Sequence, residues 1–187
     1  MKKFGDYDFG VIIAFLLPGF IFLWALLLSF PGVTPWLLTS SATTPQTNLS
    51  VGGFLYSALA SLALGLILSA LRWRVIDWLL NLMGVKCPEL DFSKLKDHDT
   101  AAAFRDIVEN HYRYYQYYAN TLVAIVAGCL LYRFSGHSAQ CLIYGAALIV
   151  VIVLFVGGKD ALEKYYKRAG QILPLAKEEA KHDQRVS

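Results

Sequence analysis

Two apolar runs of this chain exceed 20 residues without a single charge: residues 9–30, with 22 positions, and residues 51–71, with 21. A helix rises about 1.5 Å per residue, so each run covers about 30 Å, the thickness of a bilayer's hydrocarbon core. Such runs cannot be dissolved in a water-facing fold, and they dictate the class of everything around them. Two further runs, 114–132 and 139–156, are also long enough to cross. The expected fold is all-α: a polytopic membrane protein with four transmembrane helices and amphipathic helices on one side. Composition agrees, with 56% hydrophobic and 17% charged residues against about 25% charged in soluble domains. The net charge of +3 is not gathered into a basic patch, so no direct nucleic-acid contact is expected.

The first run reads as a retained span. Lys2 and Lys3 imitate the start of a signal peptide, but Asp6 and Asp8 follow and the apolar run is too long. All of 1–187 is read as a single membrane domain. Segments 1–8, 72–113 and 157–187 then share one side and hold 16 of the 17 Lys and Arg and all 14 Asp and Glu. Loops 31–50 and 133–138 lie on the other side, with Arg133 alone. The positive-inside rule puts both termini in the cytoplasm. The expected location is integral, in the inner membrane of a bacterium by the compact layout and short basic start.

Loop 31–50, with Pro31, Pro35 and Pro45, favours turns and extended backbone, and Trp36 to Leu38 are placed at headgroup depth. Asn48-Leu49-Ser50 matches a glycosylation sequon but lies against the second span, and no glycan is expected there. Beyond that span, Trp73, Ile76, Leu80 and Met83 recur at helical spacing, with Arg74, Asp77 and Asn81 opposite. This pattern predicts a helix lying along the membrane interface, stopped by Pro88. Asp97, Asp99 and Thr100 supply N-terminal caps, and no proline interrupts the chain from there to Tyr132, so the third span begins as a stalk. The short loop 133–138 makes spans three and four an antiparallel hairpin. The fourth span is expected to end at Gly157–Gly158. A second amphipathic stripe follows (Leu162, Tyr165, Tyr166, Ala169, Ile172 and Leu173), with Glu163 and Lys167 spaced to pair on the far face.

Four features carry the functional reading. Gly53, Ser57, Ser61, Gly65 and Ser69 recur every four residues in the second span, a face for helix packing within the chain or for an oligomer contact. Pro18–Gly19 interrupts the first span and is a candidate hinge. Tyr112, Tyr114, Tyr115, Tyr117 and Tyr118 crowd the entry to the third span and, with Trp73 and Trp78, suit an aromatic belt. These tyrosines, with Arg72 and Arg74, are candidate contacts for a partner or lipid headgroups. Cys129 and Cys141 share the hairpin and are close enough to pair under oxidation, though free thiols are the expected state.

No catalytic motif or metal-ligand spacing is present, and the scattered His98, His111, His137 and His182 form no trio with Cys87. No catalytic residue, metal or other cofactor is expected. The leading expectation is a non-enzymatic membrane subunit. It sits in the lipid bilayer, forms a homo-oligomer, and anchors or senses for a cytoplasmic protein partner, in a bacterial defence or stress system. The alternative is an oligomeric pore or membrane-disrupting effector, supported by uncharged spans, the Ser-lined face and the Pro–Gly kink. An integral lipid enzyme comes third.

Overall fold

The computed structural model describes residues 10, 12–30, 32, 51–136 and 141–173. Among them there is no strand, and four helices are long and apolar enough to cross a membrane. Helix α1 is Ile12–Ser29, α2 is Val51–Leu82, α3 is His98–Phe134 and α4 is Cys141–Ile172. A short 3-10 turn, Phe92–Lys96, sits between α2 and α3. The expected loop features at 33–50, the sequon among them, and the side chain of Cys141 lie outside the described residues. Cys129 is a free thiol.

Contacts fix the arrangement. Phe15 lies opposite Gly65 and Gly19 opposite Ser61, so α1 and α2 run antiparallel. Asn120 reaches Ala14, and Gly128 faces Ala25, so α1 and α3 run parallel. Tyr118 lies against Gly157 and Gly158, and Tyr112 against Tyr165, so α4 runs back along α3. Helix α3 is the central rod, packed against each of the other three. The 18 residues of α1 cover about 27 Å, whereas α2, α3 and α4, with 32, 37 and 32, cover about 48–56 Å. The three long helices therefore run about 20 Å past a 30 Å core, all at the end where α1 begins. There they form a helical layer.

Two expected breaks are absent. Helix α2 passes Arg72 without interruption, so 72–84 is no separate helix laid along the interface. Nothing in the backbone there forbids continuation, and Arg72 turns into the bundle instead of out to water. The anticipated faces are re-sorted accordingly: Ile76 and Leu80 are buried, Trp73 and Met83 are exposed, and Asp77 bonds across to α3. The helix stops well before Pro88. Gly84, at φ 90°, permits the left-handed turn, with its N–H on the Asn81 carbonyl and that of Val85 on Leu80. This is the paired-bond ending that glycine favours.

Helix α4 likewise runs through Gly157–Gly158. Both glycines face Tyr118 at ordinary contact distance: its ring atoms would lie 3.6 Å from a Cβ at Gly157, and its own Cβ 3.5 Å from one at Gly158. The stripe beyond them is as expected, with Leu162, Ala169 and Leu173 buried and both tyrosines half-buried. Glu163, however, meets Lys159 at 3.6 Å, and Lys164 meets Asp160 at 2.6 Å. On an exposed face such exchanges cost little. Asp97 caps α3 as expected, accepting from the Thr100 hydroxyl at 2.7 Å and the Thr100 N–H at 3.0 Å. These bonds, the hydroxyl's first, hold its carboxyl below the usual range.

Candidate functional site

The spans are knitted by close backbone approach followed by a polar junction. A Cβ added at Gly19 would lie 1.8 Å from the Ser61 carbonyl oxygen, and one at Gly65 would lie 2.0 Å from that of Phe15. Each helix thus lends a glycine to the other's carbonyl, an approach that sustains weak Cα–H···O contacts. Ser61 is fully buried there. The small-residue stripe is therefore used, at Ser61 and Gly65, for packing within the chain. Ser57 turns back onto the Gly53 carbonyl at 2.9 Å, and Gly53 and Ser69 are half-covered. The Ser-lined face that favoured a pore is occupied at its centre by α1.

Pro18 explains the next contact. A proline has no N–H to give the carbonyl four residues back, which is that of Ala14. The Asn120 amide, fully buried on α3, donates to that oxygen at 2.7 Å. Just before the proline, Ile12–Leu16 is wound as a π-helix, which re-registers the turn around the gap. Pro18 and Gly19 are themselves buried, so the candidate hinge is clamped on one side by α2 and on the other by α3.

Where the spans pass into the helical layer, Tyr115 is only 1% exposed. Its hydroxyl donates to Asp77, and the Arg72 guanidinium lies over its ring, 5.1 Å from the centroid. Arg72 is 4% exposed, yet its Nε and Nη1 have no hydrogen-bond partner. Ser61 Oγ, Asn120 Oδ1 and Thr121 Oγ1 are buried without partners too. An intramembrane or membrane-edge cation is costly to hold, and such residues mark function by default. From Tyr115 a chain of rings leads away from the spans: Tyr112 at 5.9 Å, Tyr165 at 5.1 Å, Phe104 at 6.4 Å and Phe92 at 6.3 Å. These separations suit favourable edge and tilted packing. A second π turn, Val108–Tyr112, sits in α3 just before the junction.

The other candidates separate. Tyr118 is spent on α4, and Tyr117 stacks beside it at 5.5 Å. Tyr114, 49% exposed, is the tyrosine of the five that stays open to a headgroup or partner. Arg74 is exposed, whereas Arg72 is withdrawn and is no surface contact. Asp77 and Asn120 were missed as site residues. Pro18 signals an orphaned carbonyl at Ala14, but nothing local says which helix answers it.

Fold and junction define a class: an all-helical chain with four helices fit to span a membrane, closed around a buried polar layer. Compared with family models, curated proteins and solved structures, it matches none.

Proposed function

We propose that the protein is a non-enzymatic membrane subunit that anchors or senses for a cytoplasmic protein partner. In this reading the helical layer and both termini face the cytoplasm, an orientation that the Lys and Arg distribution supports. The setting is the inner membrane of a bacterium, in a defence or stress system, as the compact layout suggests.

The observation that carries the proposal is the junction at Tyr115, buried between Arg72 and Asp77 and continuous with rings in the layer. It couples the spans to the layer, so a change on one side is felt on the other. A buried, under-bonded arginine is a poor choice for stability alone, because apolar replacements of buried charge are often neutral or better. Its presence at this junction suits a coupling role. Segments 72–113 and 157–173, which form the layer, carry 20 of the chain's 31 charged residues, a surface well able to specify a partner. Self-association, if it accompanies this role, uses a surface other than the Ser61–Gly65 contact. Of the four spans, that of helix α4 is the least covered by the rest of the bundle.

Gentle purification from the native membrane, with mass determination of the intact particle, tests the proposal. A stoichiometric soluble protein is expected, and it should be lost from a folded Arg72→Met variant. A bare oligomer that conducts ions in liposomes would put the pore in its place, and a bare monomer would refute both.

A further inference from the structure

Past Arg72, helix α2 keeps presenting large apolar side chains to the outside. Trp73, Val75, Trp78 and Leu82 are exposed, continuing the outward surface that the span shows at Leu59 and Leu66. Helix α4 changes character instead: beyond Gly158 its outer side is Asp160, Glu163, Lys164, Lys167 and Arg168. The layer thus has one charged flank and one apolar flank. A contiguous apolar patch outside a folded chain marks a protein or membrane contact.

Packing fixes the depth of the apolar flank. Ile76 and Leu80 of α2 close on the same small gap as Leu154, Phe155, Gly158 and Lys159 of α4. Residues 76–80 therefore stand level with 154–159, where α4 is only then leaving its uncharged run. Judged by α4, the hydrocarbon ends near Trp78, about 9 Å along α2 beyond Arg72. Of the three charged residues in α2, Arg72 is buried and Asp77 holds the Tyr115 hydroxyl, so Arg74 alone faces fully outward. An exposed arginine at the hydrocarbon edge lays its stem on apolar surface and sends its head to the phosphates. Tryptophan favours the same boundary. Continuity with the lipid face of the span, and this pairing of residue types, favour lipid over protein as the cover. We propose that the bilayer covers the outward face of α2 as far as Trp78, with the Trp78 ring among the lipid ester groups and Arg74 on the phosphate of an anionic phospholipid.

The test uses the full chain in phosphatidylcholine vesicles, with Trp78 as its sole tryptophan and phenylalanine at Trp24, Trp36 and Trp73. Bromine high on the lipid acyl chain should quench Trp78 more than bromine near the chain end, and aqueous iodide should quench it weakly. With Trp73 as the sole tryptophan, about 7.5 Å back along α2, quenching should shift toward the deeper bromine. That variant carries the depth test if the first does not fold. Brominated phosphatidylglycerol, added as a minor component, should associate with the Trp78 site more tightly than brominated phosphatidylcholine. Arg74→Gln should lower that association about fivefold, the contribution of one arginine near an anionic surface. Arg74→Lys, which keeps the charge, should retain most of it.

Strong quenching of Trp78 by iodide, with little by either bromolipid, would overturn the proposal and leave this face in water. Shielding from lipid and iodide alike would overturn it in favour of a protein cover, whether a partner or a second copy. Equal association of the two lipids with the wild-type site would overturn the assignment of Arg74.

Discussion

The reciprocal glycine contact gives the sharpest test of the fold. Gly65→Ala puts a methyl 2.0 Å from the Phe15 carbonyl oxygen, where real Cβ contacts essentially never fall under 3.0 Å. Backbone cannot swing aside as a side chain can, so α1 and α2 must part by at least about 1 Å. A helix pair of this length shares on the order of 40 close atom pairs at about 0.15 kcal/mol each, and a gap of about 0.5–1 Å forfeits a quarter to a half. The direct loss is about 1.5–3 kcal/mol. Moving α1 also strains the bond from Asn120 to Ala14, worth about 1 kcal/mol more. Gly65→Ala should therefore cost about 3 kcal/mol, with Gly19→Ala similar. Both act on one separation, so the double variant should cost well under the sum. Reversible unfolding in mixed micelles, followed by circular dichroism, measures this. Gly170→Ala is the control: a Cβ there meets nothing within 4 Å, so the exposed helix should gain about 0.5–1 kcal/mol. Unchanged stability for Gly65→Ala, together with a shifted oligomer distribution, would refute the argument and make this face a contact between copies.

Asn120→Leu leaves the Ala14 carbonyl unanswered beside Pro18 and should cost about 1 kcal/mol in the same unfolding assay. Tyr115→Phe keeps the ring under Arg72 but strands Asp77, and should cost about 1–2 kcal/mol. Arg72→Met removes a cation whose Nε and Nη1 lack partners and loses a cation–π contact; stability should stay within about 1 kcal/mol of wild type or rise. A fall of more than about 2 kcal/mol would show that the guanidinium is structurally paired. Asp97 has a carboxyl held below its ordinary value of 3.8, so its capping contribution is present above that pH. It is lost as pH falls through the lowered value. The Thr100 amide proton, followed by NMR, should titrate in that acid range and stop doing so in Asp97→Asn.

The fold was largely legible because lipid leaves few options: a long uncharged run must close its own backbone bonds, so it must be helix. Caps were legible for the same local reason, as with Asp97 before Thr100. Helix ends were misplaced where residue type has two meanings. Gly157–Gly158 resembles a terminator, but glycine inside a helix costs only about 1 kcal/mol against alanine, and packing against Tyr118 carries α4 through the pair. Arg72 resembles a boundary, because arginine at a span's end normally reaches for water; whether it turns inward depends on Tyr115, more than 40 positions away. Amphipathic reading of 72–84 failed for that reason. The pattern assumes that apolar means buried, whereas beside a membrane Trp73, at 70% exposure, faces outward at no penalty and Asp77 turns in to a hydroxyl.

The small-residue stripe shows where such reading stops in principle. In water, a buried face announces itself by being apolar. In lipid every face is apolar, and what distinguishes a contact is only the smallness of its residues. Gly65 and Ser61 are equally suited to α1 of the same chain and to α1 of another. The choice is made by the partner's shape, through Gly19 and the carbonyl of Phe15, and by whether that partner is already tethered nearby. A tethered helix has a large advantage in effective concentration over a free copy. Small-residue stripes in short polytopic chains are therefore used internally first. A surface for assembly has to be sought on the helix left bare, which here is α4.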